Sequence, residues 1–513
     1  MGSTINPGFL RTGIKAPSRN EIVGDSRLPQ YYQSSLVVFI LFIGFVIFRY
    51  LEGGVRYPAL GVIRFEFLMG ALLGALAFQA YRDNHKREGC GVGPWVSLLF
   101  MLMVIMVVSS YNQENSYEIF IDRVVKFGLL AFFIAAFVTT PRRLAWFVGA
   151  FMFACLKMGE EGFLGNIMGT MVWENQGVIR LHGSTPIYNH PNSFAGMALG
   201  CLPFILYFYR FIPGYLQAVL LVQFVLMLNI IVFTGSRTGY IGCMIMLVFL
   251  IWKSKNRRRA LLAVLPLVVA LAYLVPQQYI ERAETLTVEK EGEGGSVDAR
   301  LQILRDAWQV FLDNPLGVGV QAFPAVRKSR FGRQQDTHNL YLEVATNLGI
   351  QGLIIFLGFI TALLRVLTRL VSSINRQINQ LEKEIAGIRH GNQGGKQMGR
   401  HLLDLRIMLA TGKAVYLFLI IRLSLGIFGH DLYEIYWWFA LGTTVAVWNL
   451  NTIARSRTEM LCCSDNSEGR IFTPALRTGK MSKQAWKRFL VKKLPGQHEK
   501  DGNDARKRDD PAK

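Results

Sequence analysis

The sequence DTHNLYLE (Asp336–Glu343) leads within a few residues into an apolar run that begins at Ile350. It follows the sequence NPLGVG (Asn314–Gly319) and a polar, basic segment. A polar loop that ends in a histidine-containing turn and continues into a hydrophobic span is typical of a site at a membrane surface. We therefore expect the rest of the chain to be a membrane scaffold that presents this loop.

The local pattern predicts how this turn is arranged. If Thr337 caps a helix, His338 and Tyr341 lie on one face of it, three residues apart. Asn339 and Glu343 then lie four residues apart on a neighbouring face. This arrangement would place a histidine and a tyrosine on the same face of a helix.

The composition excludes most soluble classes. The chain has 513 residues, of which 51 % are hydrophobic and only 18 % charged. The charges fall in clumps between long apolar runs, as in polytopic proteins of the lipid bilayer. The net charge of +21 does not indicate nucleic acid, because the basic residues lie in short loops and in the tail, where membrane orientation explains them. We expect no nucleic-acid partner.

Apolar segments define the predicted spans. They number about twelve, at residues 35–51, 62–81, 94–110, 124–140, 144–159, 193–210, 215–234, 238–252, 260–276, 349–367, 407–426 and 435–451. An even number of spans places every basic cluster on the cytoplasmic side, in agreement with the positive-inside rule. The predicted fold class is thus all-α, a polytopic membrane protein of about 12 transmembrane helices with a large helical periplasmic loop and both termini cytoplasmic.

This topology divides the chain into five parts. They are a cytoplasmic leader (1–34), spans 1–9 with an outward loop at 159–192 (35–276), a large periplasmic helical loop (277–348), spans 10–12 with a basic cytoplasmic loop at 368–406 (349–454), and a basic cytoplasmic tail (455–513). Within the large loop, helical periodicity extends from Ala299 to Phe311.

The outward loops contain several arginines. Arg180 precedes the sixth span, Arg237 occupies a turn of about five residues between two spans, and Arg300 opens the loop helix. A turn that short holds Arg237 near the bilayer surface. Guanidinium groups bind phosphate or pyrophosphate through paired, charge-assisted hydrogen bonds. The arginines therefore favour an anionic, phosphate-bearing substrate.

A histidine completes the candidate chemistry. His338 has an ordinary pKa near 6.5 and can accept a proton from a sugar hydroxyl at ambient pH. Asp336 flanks it and could orient its ring, and Tyr341 could share its face. Two arginines and one histidine would make a transferase that needs no metal, since no outward loop has the carboxylate cluster that Mg²⁺ or Mn²⁺ requires. We expect no metal and no cofactor.

Simpler structural roles compete with each assignment. Arg237 could extend to lipid phosphate, and His338 could cap or pack a helix. Arg180 and Arg300 could be ordinary loop charges. His190, which stands before Pro191, has the position of a turn residue.

Several motifs together resemble the O-antigen ligase superfamily. They are TGSRTGY (Thr234–Tyr240), Arg300 with Trp308 and NPLGVG, HNLYL (His338–Leu342) and NLGIQG (Asn347–Gly352). The similarity is strongest from about 193 to 367. The superfamily includes lipopolysaccharide O-antigen ligases, related O-antigen and exopolysaccharide polymerases, and oligosaccharyltransferases that glycosylate pilins.

The resemblance implies a metal-independent, inverting glycosyltransferase of the bacterial inner membrane with its active site facing the periplasm. Its donor would be a glycan linked to undecaprenyl pyrophosphate, reaching the site through a lateral opening. Its acceptor would be a glycolipid or another glycan. The essential residues of the family correspond to His338, Arg237 and Arg180, which we assign as catalytic. As substrate-binding residues we assign Arg300, Asn192, Tyr341, His190 and Asp336.

The resemblance leaves the acceptor open. A ligase passes the glycan to a lipid A-core sugar, whereas a polymerase passes it to the next lipid-linked repeat. We favour the ligase interpretation. A protein glycosyltransferase is a third choice, disfavoured because no added periplasmic domain is visible. A small-anion transporter is the alternative of another class, and it would need a polar path across the bilayer.

Overall fold

The structure, a computed structural model, describes seven parts of the chain: residues 34–83, 89–175, 178–274, 276, 296–387, 393–429 and 432–464. The predicted leader falls almost wholly outside the described residues, as do most of the predicted tail and the first part of the large loop. We number the elements in chain order.

Seventeen α-helices make up nearly all of the described structure. They are α1 (Leu36–Tyr50), α2 (Gly53–Arg56), α3 (Pro58–Val62), α4 (Phe65–Asp83), α5 (Gly93–Val108), α6 (Gln113–Ile119), α7 (Lys126–Phe137), α8 (Pro141–Met168), α9 (Pro191–Phe208), α10 (Gly214–Phe233), α11 (Arg237–Lys253), α12 (Arg257–Leu274), α13 (Ser296–Asp313), α14 (Phe323–Phe331), α15 (Leu340–Gly387), α16 (Gln393–Leu425) and α17 (Ile435–Ser464). A π-helical turn (Phe120–Val125) joins α6 to α7.

Each predicted apolar segment coincides with one of these helices. Within the described residues, four helical segments are long and apolar enough to cross a membrane: Pro191–Phe208, Gly214–Phe233, Leu340–Ala386 and Gln397–Leu425. The prediction of a helical membrane protein is confirmed in this form, whereas the count of twelve spans stays a prediction.

The loop before α9 differs from the prediction in two ways. The helix α8 continues to Met168, where Gly169 ends it in the left-handed region, so residues 159–168 are helical and not loop. Gly162 lets α8 continue past α9, because the Cβ of any other residue there would lie only 2.9 Å from the Phe194 ring. The remaining loop contains an antiparallel hairpin, β1 (Val172–Asn175) and β2 (Val178–Leu181), which the all-α prediction did not include.

An aromatic core holds the bundle together. The ring of Phe439 in α17 lies 4.8 Å from that of Phe151 in α8 and 5.9 Å from that of Phe204 in α9. Phe418 of α16 lies 5.8 Å from Phe439. Tilted and edge-on ring pairs at such distances stabilise packing beyond the area they bury. Four helices that carry or flank the candidate site are thus fixed to one another.

A break in α15 holds the NPLGVG loop. Gly349 has φ 73° and ψ −173°, so the backbone leaves the helix there and resumes it afterwards. The loop packs against this break with its backbone, since Val318 N donates to Thr346 O at 2.9 Å. A Cβ at Gly349 would lie 2.4 Å from the Leu316 carbonyl carbon. Only glycine permits both the conformation and the contact.

The described part of the large loop packs on α15 as a small helical unit. The helix α13 covers the predicted periodic segment, and α14 follows it. Between them lies a small core that includes Val310, Phe323 and Val326. A buried ion pair joins Arg327 to Asp306 at 2.9 Å, which couples the two helices.

Candidate functional site

Most of the predicted site residues lie at one end of the helix bundle, which we call the site end. There α9, α11 and α15 begin and α16 ends. The ends of α9, α11 and α16 are in contact, because a Cβ at Gly242 would lie 2.8 Å from Leu199 and 2.9 Å from Leu425. The start of α15 joins them, since Leu340 N donates to Gly426 O at 2.7 Å.

Asn192 connects the two arginine-bearing segments. Its side-chain oxygen accepts a hydrogen bond from Arg180 Nη2 at 3.1 Å and another from Ser236 Oγ at 2.8 Å. Arg180 Nε donates to the Thr234 carbonyl at 2.8 Å. Arg180 is buried, with 6 % of its surface exposed. The hairpin, the first turn of α9 and the α10–α11 turn therefore form one hydrogen-bonded unit.

The first turn of α9 is capped by the predicted histidine. His190 Nδ1 accepts from Asn192 N at 3.1 Å, and Pro191 fills the first helical position. The Trp173 ring stands edge-on to the His190 ring at 5.7 Å, and Trp173 is also the cross-strand partner of Arg180. His190 thus has the turn role that the sequence offered as an alternative, and it fixes the direction of Asn192.

Arg237 lies closer to a helix than the sequence indicated. The helix α10 ends at Phe233 and α11 begins at Arg237, so the turn consists of the three residues before Arg237. Ser236 caps α11, because its hydroxyl accepts from Gly239 N at 3.0 Å. A helix N-terminus presents unpaired backbone N–H groups and a partial positive charge. Arg237 therefore adds a full positive charge to an end that already favours anions.

His338 lies outside the helix that the sequence assigned to it. The cap of α15 is Asn339, whose side-chain oxygen accepts from Tyr341 N and Leu342 N, both at 3.0 Å. Thr337 instead bonds to the backbone of Asn339. His338 has φ 49° and an exposed side chain. The expected helical face shared with Tyr341 therefore does not form, because asparagine is the stronger cap.

The turn that follows α16 anchors this segment. Asn339 Nδ2 donates to Ile427 O at 3.0 Å, and Tyr341 Oη donates to Leu423 O at 2.9 Å. The buried Glu343 accepts from Leu432 N at 3.1 Å. These contacts fix the backbone on the helical side of His338 and leave its imidazole at the surface of the site end.

Two other predicted residues, Asp336 and Arg300, belong to the segment between α12 and α15. Asp336 accepts from Gln321 Nε2 at 2.6 Å, which ties it to the loop that follows NPLGVG. Arg300 lies exposed on the first turns of α13. Groups of three or more His, Cys, Asp or Glu side chains able to hold a metal do not occur within the described ranges.

A second ionic unit supports the loop between the hairpin and α9. Arg56 binds Glu161 through two parallel hydrogen bonds of 2.7 Å, and it donates to Ser184 Oγ at 2.8 Å. Ser184 in turn donates to Glu161 at 2.6 Å. Burial alone would raise the pKa of Glu161, but the hydrogen bonds from Arg56 and Ser184 outweigh that effect and hold the pKa below its ordinary value.

The structure adds one residue that the sequence reading missed. Arg422 of α16 is buried, with 3 % of its surface exposed. Its guanidinium lies 3.3 Å from the centre of the Tyr436 ring and donates to Gly196 O at 2.9 Å. Gly196 lies one helical turn beyond Asn192. An arginine inside an apolar span is itself a signal of function, and it was visible within the segment 407–426.

Comparison with known families gives a match to part of the chain. The family model described as O-antigen ligase matches residues 222–357. The resemblance to the O-antigen ligase superfamily is confirmed. Comparison with curated proteins gives no match. Residues 222–357 are accordingly similar to the O-antigen ligase family, which supports an O-antigen ligase- or polymerase-like membrane enzyme.

The O-antigen ligase match covers only part of the site. It includes Arg237 and His338, and it excludes Arg180 and Asn192. The structure connects the two parts, since Thr234 and Ser236 lie inside the match and both bond to residues outside it.

Proposed function

We propose that the chain is an O-antigen ligase-like glycosyltransferase that moves a glycan from undecaprenyl pyrophosphate to a lipid A-core or similar sugar acceptor. The observation that carries this proposal is the double hydrogen bond to Asn192. These bonds hold Arg180 next to the turn that precedes Arg237. Two guanidinium groups near a helix N-terminus can bind a pyrophosphate.

The roles follow from the charges that develop during transfer. An acceptor hydroxyl oxygen forms a bond to the anomeric carbon while the bond from that carbon to the pyrophosphate oxygen breaks. Arg237 and Arg180 stabilise the negative charge that gathers on the leaving pyrophosphate. His338 takes the proton of the acceptor hydroxyl. Attack opposite the leaving group inverts the anomeric centre. No step is assigned to a metal.

The exposed imidazole is the feature that a base requires. His338 has a left-handed backbone and an exposed side chain, and Asn339 and Tyr341 fix the adjoining backbone through hydrogen bonds to Ile427 and Leu423. Few residues other than glycine adopt this region of φ, although Asn, Asp and His do so more often than the rest. A histidine placed there is consistent with a functional requirement for the imidazole.

The decisive experiment replaces His338 in the source strain. His338→Asn removes the imidazole and keeps a residue that accepts positive φ, so folding is preserved better than with alanine. The surface polysaccharide and the carrier-linked glycans are then analysed, with the membrane level of the protein as control. Long glycans that accumulate on the carrier indicate a ligase.

Two other outcomes are informative. A single repeat unit on the carrier, without polymer, would assign the protein as a polymerase. Unchanged glycans in both pools, at normal protein level, would overturn the transferase proposal and leave anion transport as the function to assay.

A further inference from the structure

An apolar groove runs along α11 on the outer surface of the bundle. Its volume is about 520 Å³, and its walls include Tyr240, Met244, Val248 and Trp252 of α11 and Ile420 of α16. Residues three or four apart share a helix face, so these side chains form one continuous stripe. From Tyr240 to Trp252 the helix rises about 18 Å at ~1.5 Å per residue, somewhat more than half of a ~30 Å hydrocarbon core.

The stripe becomes basic at the end away from the site end. On α16, Ile420, Tyr416 and Lys413 follow one another at intervals of one helical turn. The Tyr416 ring lies 6.0 Å from that of Phe249, which also lines the groove. The groove therefore leads along Tyr416 to Lys413.

Three cations from separate segments meet there. Lys413 is half-buried, and Arg210 and Lys255 are close enough for their charges to act on it. Arg210 follows α9, and Lys255 lies in the turn between α11 and α12. None of the three forms an ion pair with a carboxylate in the described part of the chain. The three positive charges repel one another, and an anion placed among them would stabilise all three.

We propose that this groove and basic cluster bind one anionic phospholipid. One acyl chain lies against Met244 and Val248, and the phosphate lies among Arg210, Lys255 and Lys413. The order along the surface, apolar for about one leaflet and then cationic, matches the order of chain and phosphate in a lipid. A lipid bound in the opposite direction, with its phosphate at Arg237, would leave the three cations of this cluster without an anion.

The test measures lipid retention directly. Native mass spectrometry of the purified full chain counts phosphatidylglycerol and phosphatidylcholine that remain bound. Wild type should retain one phosphatidylglycerol at least tenfold more tightly than phosphatidylcholine. The triple variant Arg210→Gln/Lys255→Gln/Lys413→Gln should lose about 100-fold of that affinity, as expected for three basic residues near a lipid phosphate.

A matched control removes the same charge nearby. Arg257→Gln/Arg258→Gln/Arg259→Gln alters three exposed cations at the start of α12 and should change the affinity by less than about threefold. Val248→Trp fills the groove without altering charge and should also release the lipid. Equal losses in the two charge variants, or full retention in Val248→Trp, would refute a lipid site of this form.

Two competitors separate the remaining sources. Inorganic phosphate that displaced the lipid at millimolar concentration would assign the cluster to a free anion. Undecaprenyl pyrophosphate that displaced phosphatidylglycerol stoichiometrically would assign the groove to the donor. Either result overturns the proposal. Because none of these readouts uses transferase activity, their outcome is independent of the proposed function.

Discussion

Arg180 donates from Nη2 to the side-chain oxygen of Asn192 at 3.1 Å, and both residues lie outside the O-antigen ligase match. This bond places a hairpin residue against the first turn of α9. The same oxygen accepts from Ser236, the neighbour of Arg237. The position of one arginine is thereby coupled to the position of the other.

Asn192→Ala should reduce transfer about 10- to 100-fold. The reason is that Arg180 and Ser236 lose their shared acceptor, and a hydrogen bond to a charged group contributes about 1.5–3 kcal/mol. Transfer from a lipid-linked donor measures the effect. Asn189→Ala is the control, since Asn189 is exposed in the same loop. Similar rates in both variants would contradict a coupling role for Asn192.

Arg237→Lys should be almost as damaging as Arg237→Gln. A lysine keeps the charge but cannot make the paired hydrogen bonds that a pyrophosphate accepts, and we expect a loss of about tenfold or more in kcat/KM for the donor. Arg330→Lys on α14 is the control, because its exposed ion pair with Asp313 contributes little. Full activity of Arg237→Lys would favour a lipid-anchoring role for Arg237.

Glu161→Gln should remove an acid-sensitive part of the stability. The pKa of Glu161 is lowered in the folded state by Arg56 and Ser184. The stabilisation is therefore present above its unfolded pKa of about 4.3 and is lost as pH falls through the lower folded pKa. The melting temperature of the wild type should fall as the pH is lowered through that range. The melting temperature of the variant should not show this decrease.

The adjacent residue supplies the comparison. Glu160 is exposed and pairs with the partly exposed Lys157, so Glu160→Gln should shift the melting temperature little at any pH. A pH profile of Glu161→Gln that paralleled the wild type would show that the Arg56 unit does not contribute in this way.

Gly349→Ala should prevent assembly of the NPLGVG loop on α15. The added Cβ would meet the Leu316 carbonyl carbon at 2.4 Å, at a φ of 73° that alanine rarely adopts. We expect a destabilisation of several kcal/mol, since strain and overpacking each cost about 1–3 kcal/mol. Gly149→Ala is the control, because a Cβ there meets nothing within 4 Å. Protein yield and melting temperature report the difference.

The helices were predictable and the contacts between them were not. Apolar runs and their turn residues are local signals, so every predicted segment coincides with a helix. The end of α8 was misplaced because Glu160 and Glu161 resemble a loop in sequence, although Glu161 forms an ion pair with Arg56 of the distant helix α2. The hairpin was missed because its strands have only four residues each.

In the candidate site, too, the residues could be predicted from the sequence but the contacts between them could not. Arg180, Asn192, Arg237 and His338 were all selected from residue type and position. The two hydrogen bonds to Asn192 were not predictable, since they join residues 12 and 44 positions apart in the chain. The placement of His338 was misread for a local reason, the competition of Thr337 and Asn339 for one helix cap. Arg422 could have been found, because charge within an apolar span is rare.

The turn after α16 has a consequence for synthesis of the enzyme. The carbonyls of Gly426 and Ile427 accept hydrogen bonds from Leu340 and Asn339. The ribosome adds Gly426 and Ile427 to the chain long after Arg180 and Arg237. Until α16 leaves the ribosome and inserts, the segment that bears His338 has no support on that side. A nascent chain that has already reached the membrane should therefore stay inactive, and the cell should gain transfer activity only when translation is nearly complete.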